Sequence, residues 1–227
     1  MNKGVVLRNL QRIPEALEEY DKAIAIWERL VHHEQQTHLA NELAKAYLNK
    51  GNALQNLQQL TEALEGYDKA IAIWERLVHH EQQTHLANEL ATAYMNKALL
   101  LEKQKEWGAA LDGYEAAVQL SRLCVENLGM FRIAPELLQT LRYRLMILLD
   151  LQRWPAAAQD VLAVRRIASP FFDSPAITEG LKQAGLKEVA ETFRLIRDLD
   201  AAQSNLLYAE LGDDAESVRS FVESISA

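Results

Sequence analysis

The sequence predicts an all-α fold in which one helical hairpin is repeated along the chain as an elongated array. The first observation is internal identity, because the run from Tyr20 to Ala44 and the run from Tyr67 to Ala91 are the same letter for letter. The shift between them is 47 residues, and periods of about 20–50 residues are typical of solenoids. The second observation is composition, since only nine Gly and five Pro occur among 227 residues, which favours helix.

Each unit carries two apolar stripes at helical spacing, i, i+3, i+4 and i+7. The first stripe comprises Tyr20, Ala23, Ile24, Trp27, Leu30 and Val31, and the second comprises Leu39, Leu43, Ala46, Tyr47, Leu54 and Leu57. Polar breaks follow each stripe, with Thr37 and Thr61 as expected N-caps. Each unit is therefore predicted to be two antiparallel helices of roughly twenty residues joined by short turns. Trp27 and its copy Trp74 lie on the apolar stripe and are predicted to pack between helices.

Large and small residues recur in a fixed order at the expected helix crossings. The order is Tyr47-x-x-Lys50-Gly51-x-x-Leu54 on the first helix and Ala63-x-x-x-Tyr67-x-x-Ala70 on the second, and the third copy has Tyr94, Lys97, Ala98, Leu101, Ala110, Tyr114 and Ala117. This pattern resembles the tetratricopeptide repeat (TPR), and the long period is similar to that of kinesin-light-chain-like and bacterial TPR proteins. A period of 47 also suits HEAT or armadillo repeats.

The resemblance implies a right-handed αα superhelix, a TPR solenoid, and the sequence departs from the family pattern in two ways. The family period is about 34 residues, whereas the period here is 47. Glu28 and Glu75 stand where the family has a helix-ending proline, so the second helix of each unit is expected to run on.

The resemblance covers residues 1–168, divided into units near 1–35, 36–82, 83–129 and 130–168. A break is expected from Ser169 to Pro175, with Ser174 and Pro175 starting a new helix. Residues 169–227 are predicted to form capping helices near 175–184, 187–203 and 213–225, the last with a capping-box-like start at Asp213 and Glu216.

The other end of the array is predicted to be open. Met1 aligns with Leu48 and Met95, which lie in the middle of predicted helices. Either upstream repeats precede this sequence or a half-helix is its natural start. In both cases an apolar flank near Trp27 is left for a partner or a second copy, and weak self-association through this end is expected.

Composition limits the possible partners. A net charge of −8 argues against nucleic acid as the main partner. No apolar run is long enough to span a bilayer, and the single Cys124 cannot form an internal disulfide, so a cytoplasmic protein is expected. Arginines are concentrated between residues 131 and 170, which indicates either mutually compensating helix faces or a basic patch for an acidic partner.

No catalytic or metal-binding constellation is predicted. His33, Glu34 and His38 superficially match a zinc-protease motif, but the histidines are five residues apart and diverge on a helix, whereas HExxH places them four apart. Cys124 lies in an apolar stretch and is expected to pack. We therefore expect a non-enzymatic protein with no cofactor.

A surface built from repeats favours the binding of another protein, and the leading hypothesis is a scaffold that holds a peptide or protein segment along its concave face. Family members imply a ladder of asparagines, Asn2, Asn49 and Asn96, that hydrogen-bonds a peptide backbone, supplemented by Lys45, Leu48, Asn52 and Met95. The asparagines could instead bond across to a neighbouring helix. The alternative function is a regulatory or sensor module of a larger bacterial assembly, controlling a protease or another effector.

Overall fold

A computed structural model describes residues 3–173 and 178–225, with side chains described for 3–168 and 178–220, and these residues contain helices and no strand. The helices are α1 (Lys3–Asn9), α2 (Ile13–Glu28), α3 (Ala40–Asn56), α4 (Leu60–Glu75), α5 (Ala87–Lys103), α6 (Trp107–Arg122), α7 (Ala134–Asp150), α8 (Trp154–Asp173), α9 (Glu179–Arg197), α10 (Ala201–Leu211) and α11 (Ala215–Ile225). The predicted all-α class of repeated helix hairpins is confirmed.

The chain forms two compact units, one up to Leu120 and one from Ser121 onward. In the first unit each helix packs against the next one in the chain, from α1 through α5. In the second unit α7 packs against α8, and the C-terminal helices α9 and α10 pack against that pair. The predicted boundary between repeats and capping helices, at residues 168 and 169, stays a prediction.

The crossing of the two helices in a hairpin depends on small residues, as the sequence predicted. A Cβ on Gly51 would lie 2.7 Å from Cε1 of Tyr67 and 3.2 Å from the carbonyl oxygen of Ala63. Tyr67 and Ala63 are both fully buried. A residue without a Cβ therefore lets α3 approach the tyrosine ring on α4 this closely.

The turn inside each hairpin does not use the N-cap expected at Thr61. Gln58 has a φ of 60°, and the N–H of Gln59 donates to the carbonyl of Leu54 at 3.0 Å, which is the hydrogen bond of a Schellman motif. The N-cap of α4 is Gln59 rather than Thr61. The positive φ recurs at the 47-residue period, at Gln11, Gln58, Lys105 and Gln152.

The turns between hairpins also differ from the expectation at Thr37. Residues Thr37–Leu39 form a 3₁₀ turn, so α3 begins at Ala40 and Thr37 does not cap it. A left-handed residue, Gln35 with a φ of 53°, reverses the chain before this turn. The left-handed glutamines end the preceding helices, and neither Thr37 nor Thr61 caps the helix that follows.

The substitution of glutamate for the family proline has a structural role beyond lengthening the helix. After Glu28 the chain continues as a π-turn, Arg29–His33, and the same occurs at Arg76–His80. The Tyr47 hydroxyl on α3 donates to the Glu28 carboxylate on α2, and Tyr94 donates to Glu75 in the next repeat. Burial, together with the neighbouring carboxylate, raises the pKa of Tyr47. These hydrogen bonds link each hairpin to the next.

The predicted C-terminal helices need correction. Helix α8 continues through Pro170 to Asp173, so the break expected at Ser169 and Pro170 is wrong, because one lost backbone hydrogen bond has not ended the helix. The expected Ser174–Pro175 start lies outside the described residues. A single helix, α9, replaces the predicted pair near 175–184 and 187–203, since Gly185 is buried within it and does not interrupt it.

The capping box of this region also lies elsewhere. It occurs at the start of α10, where the Gln203 N–H donates to Asp200 at 2.8 Å and the Asp200 N–H donates back to the Gln203 side chain. The expected start at Asp213 is instead a 3₁₀ turn, and α11 follows from Ala215.

The arginines of residues 131–170 mostly hold the second unit together. The ion pairs join Arg142 to Glu188, Arg144 to Asp160, Arg165 to Asp214 and Arg166 to Glu126, at N–O distances of 3.0, 3.0, 3.3 and 3.6 Å. Arg142 links α7 to α9, and both side chains of its pair with Glu188 are largely buried. Arg142 and Arg144, in largely buried pairs, are not available for a basic patch, whereas for the more exposed Arg165 and Arg166 the basic patch stays a prediction.

Candidate functional site

A pocket of about 530 Å³ opens where α1, α2 and α3 meet in the first unit. Ala23, Ile26 and Trp27 of α2 supply its apolar wall. Lys45 and Asn49 of α3, two residues predicted to bind a peptide, line the opposite wall. The pocket thus combines an apolar surface with an amide and an ammonium group, a composition suited to a peptide segment.

The charged groups of the pocket are arranged in pairs. Lys3 and Lys22 both contact Glu19 at 3.1 Å, and Lys45 contacts Glu42 at 3.0 Å. Hydrogen bonds from Lys3 and Lys22 lower the pKa of Glu19, so this carboxylate is ionised at neutral pH. Three ammonium groups and two carboxylates therefore surround the opening. Because exposed ion pairs contribute little to stability, a charged ligand group can replace one member of such a pair.

The predicted asparagines are not equivalent. The Asn96 amide donates to Oδ1 of Asn52 at 3.0 Å, which is the bond to a neighbouring helix that was the alternative to peptide binding. Asn49 is half-buried in the pocket, and its amide makes no hydrogen bond to another described side chain. Asn2 lies outside the described residues. Of the three ladder positions, Asn49 alone is placed in this pocket with an open amide within the described chain.

The difference between Asn49 and Asn96 has a clear origin in the sequence. Asn52 accepts from Asn96, and the residue 47 positions before Asn52 is Val5, which has no polar side-chain atom. Asn49 therefore has no counterpart of the acceptor that engages Asn96. Sequence reasoning overlooked Val5, although alignment of the repeats at the 47-residue period would have revealed it.

The same substitution changes the hydrogen bonding of a buried tyrosine. The Tyr67 hydroxyl donates to Asn52 at 2.8 Å and lies 2.9 Å from the Gln55 side-chain oxygen. Tyr20 is the copy of Tyr67 and is also fully buried, yet its hydroxyl has no hydrogen-bond partner among the described residues. Burial raises the pKa of both tyrosines. The first repeat therefore leaves the buried Tyr20 hydroxyl without a hydrogen-bond partner among the described residues, and the half-exposed Asn49 amide without a side-chain partner there.

The other residues predicted to bind a peptide are less available for contact with a ligand. Leu48 is half-buried and packs against the core cluster around Tyr67, so it is not a free apolar contact. Met95 is half-buried as well. Asn52 is occupied as an acceptor by both Tyr67 and Asn96.

Trp27 is a functional candidate that sequence reasoning assigned to packing. Trp74 is fully buried, as predicted, and its indole N–H donates to Asn41 at 2.9 Å. Trp27 is only half-buried and lines the pocket. Because the two residues lie in identical runs of sequence, only the neighbouring helix distinguishes them.

Within the described part of the chain, no three side chains of His, Cys, Asp or Glu are grouped as metal ligands. The residues His33 and His38 are exposed. None of the described helices is long and apolar enough to cross a membrane.

The geometry defines a helical-repeat protein with a ligand-sized pocket in its first repeats. The tetratricopeptide repeat model matches residues 1–34 and 43–81. No curated protein is significantly similar to the chain. The family match therefore covers the first repeats of the chain, up to residue 81.

Solved structures share the fold at low sequence identity. Nearly identical TPR-like repeats assigned to a putative kinesin light chain of Podosopora anserina match with a TM-score of 0.58 and 15% identity, over 99% of this chain and 92% of that one. A second crystal structure of the same repeats, carrying one substitution, gives 0.58 and 14%, over 99% and 91%. BtubC (BKLC) from P. vanneervenii gives 0.50 and 15%, over 94% and 91%. The fold is typical of protein–protein interaction scaffolds, which as a family are generally non-enzymatic.

Proposed function

We propose that the chain is a non-enzymatic scaffold that binds a segment of another protein in the pocket between α1, α2 and α3. The open amide of Asn49 beside the apolar wall of Trp27 carries this proposal. An amide offers a donor and an acceptor, so it can bond to a peptide backbone whatever the peptide sequence. The apolar wall takes a hydrophobic side chain of the same segment.

The asparagines of the proposed ladder therefore differ in how readily their amides can bind a ligand. Asn49 offers its amide to a ligand without breaking an existing bond, whereas Asn96 must first give up its bond to Asn52. Lys45 reaches the ligand from the same helix face as Asn49. We expect Asn49 to dominate binding, with Asn96 and Asn52 contributing to the solenoid itself.

A matched pair of variants tests this proposal. A partner is first captured from lysate and its bound segment is made as a synthetic peptide. The Asn49→Ala variant should bind this peptide about tenfold more weakly, which corresponds to one hydrogen bond of about 1.4 kcal/mol. Asn96→Ala should bind with nearly the same affinity as the original protein while unfolding at lower urea.

Circular dichroism must show that both variants keep the helical spectrum. If the Asn49→Ala variant binds the peptide with unchanged affinity, the Asn49 amide does not contribute to peptide binding. A larger loss for Asn96→Ala than for Asn49→Ala would also reject the proposal.

The wider predictions about partners and location follow the same proposal. The net charge of −8 supports a protein partner rather than nucleic acid, and a cytoplasmic location without a cofactor is proposed from the sequence. The regulatory or sensor role in a bacterial assembly rests on family analogy alone. Weak self-association through the first repeat remains a prediction, and a purely monomeric mass by light scattering at high concentration would reject it.

A further inference from the structure

A further pocket, of about 380 Å³, lies in the second unit between the turns that follow α6 and the last part of α8. We call it the α8 pocket, and it is lined by Val125, Glu126, Phe131, Arg166 and Ile167. Val125 and Ile167 are at most 5% exposed and Phe131 is half-buried, so these three form an apolar wall. Glu126 and Arg166 are exposed charged residues beside that wall. The volume falls within the range of about 300–1,000 Å³ that is typical of ligand sites.

The charges beside the α8 pocket do not cancel. Arg122 donates two hydrogen bonds to Glu126, at 3.2 and 3.4 Å, so it already neutralises this carboxylate. Arg166 is a second guanidinium beside the same carboxylate, at 3.6 Å, and its side chain is 59% exposed. One positive charge is therefore in excess among these three side chains, although the whole chain carries a net charge of −8. An anionic ligand group can pair with Arg166 and leave the bond between Arg122 and Glu126 in place.

The repeat itself does not require the chemistry of the α8 pocket. At the positions 47 residues earlier, the two aliphatic members of the wall are kept as Val78 and Leu120. The other three positions differ, since the preceding repeat has His79, Thr84 and Gln119 where the α8 pocket has Glu126, Phe131 and Arg166. The hairpin thus forms without an aromatic ring or a guanidinium at these positions, which favours a role for both in binding a ligand.

We propose that the α8 pocket binds an acidic segment of a partner protein. A large apolar side chain of the segment packs against Val125, Phe131 and Ile167, and a carboxylate on an adjacent residue pairs with Arg166. Charge complementarity selects this ligand, because the excess charge beside the apolar wall is positive. The inference goes beyond the proposed function, which concerns the pocket between α1, α2 and α3 of the first unit.

A short peptide with blocked ends tests the inference. The probe is acetylated and amidated, and it carries one phenylalanine between two aspartates, with glycines on either side. The δ1 methyl signal of Ile167, assigned by its loss in Ile167→Val, should shift saturably in methyl NMR spectra of the full chain. A peptide with lysines in place of the aspartates should bind at least about threefold more weakly. A peptide with serine in place of the phenylalanine should bind at least about tenfold more weakly.

Protein variants locate the peptide. Arg166→Gln and Phe131→Thr install the residue types of the preceding repeat, so each should keep the helical spectrum. Each should weaken binding by at least about threefold, and Arg166→Gln should also reduce the dependence of affinity on salt. Arg197→Gln is the control, since it removes the same charge from an exposed pair on α9 and should leave the affinity unchanged. Asn49→Ala should also leave it unchanged, which separates this test from that of the proposed function.

Three results would overturn the inference. These are absence of a saturable shift of the Ile167 methyl signal, equal affinity for the aspartate and lysine peptides, and unchanged affinity in a folded Arg166→Gln variant. Octanoate, a small anion with an apolar chain, is titrated in parallel. If octanoate shifts the Ile167 signal saturably and the aspartate peptide does not, the ligand is a small molecule and the inference is likewise overturned.

Discussion

The two buried tyrosines, Tyr20 and Tyr67, should respond in opposite ways to loss of their hydroxyl groups. They occupy equivalent positions in identical runs, and both are fully buried. The Tyr67 hydroxyl donates to Asn52 and lies close to the Gln55 side-chain oxygen, whereas the Tyr20 hydroxyl has no partner among the described residues. Replacing each with phenylalanine removes one oxygen and little else, so the comparison isolates the hydrogen bonds.

The magnitudes follow from the hydrogen bonds that are present. Tyr67→Phe removes hydroxyl contacts with two side-chain oxygens, at 2.8 and 2.9 Å, and leaves Asn52 with one donor fewer. The lost hydrogen bond, together with the acceptor that it leaves buried, should lower the free energy of unfolding by roughly 1–2 kcal/mol. Tyr20→Phe removes a buried hydroxyl without a partner, so the free energy of unfolding should rise by up to about 1 kcal/mol. The two variants should differ by roughly 1–3 kcal/mol.

Urea unfolding followed by circular dichroism at a helical wavelength measures both free energies. A third variant, Val5→Asn, supplies the acceptor that the first repeat lacks, and it should stabilise the original protein more than the Tyr20→Phe protein. That difference is a coupling energy between the two positions. Equal destabilisation by Tyr20→Phe and Tyr67→Phe would refute the reasoning, because it would mean that the hydroxyl of Tyr20 is satisfied.

Three further predictions concern the turns, the second unit and pH. Gln58→Gly should stabilise the protein by roughly 1 kcal/mol in urea unfolding, since glycine adopts the positive φ without strain, whereas Gln59→Gly, at a negative φ, should not. Arg142→Ala should destabilise the protein by roughly 2–3 kcal/mol because its largely buried carboxylate partner on α9 loses its counter-charge, while Arg197→Ala, in an exposed pair, should cost under about 0.5 kcal/mol. The raised pKa of Tyr47 means that the unfolded chain releases this proton first, from pH about 10 upward, so the free energy of unfolding should fall as pH rises above about 10, and less steeply in Tyr47→Phe.

The repeat period and the small residues at the crossings were sufficient to predict the fold. Gly51, Ala63 and Tyr67 contact one another as expected. Close helix packing restricts the size of the side chains at a crossing, so the crossing can be recognised from the residue types. The ends of the helices were less predictable. Gln58 closes its turn in the left-handed conformation, and glutamine carries no strong signal for that conformation as glycine does.

The candidate site was predictable only in part. Asn49 was predicted to bind a ligand and lines the pocket, although whether it does bind stays a prediction. The engagement of Asn96 with Asn52 depends on contacts between two residues 44 positions apart in the sequence. The exposure of Trp27 could not be read from its own neighbourhood, because the sequence around Trp74 is identical.

The duplicated run from Tyr20 to Ala44 also serves as an internal thermodynamic standard. In a linear array, stability is approximately a sum of the intrinsic stability of each repeat and the coupling to its nearest neighbours. The same substitution made at Trp27 and at Trp74 alters an identical local sequence, so the difference between the two effects measures what the contact with α3 adds at Trp74. One chain thus contains both the test and the reference for the energy that the first helix of a hairpin contributes to the second.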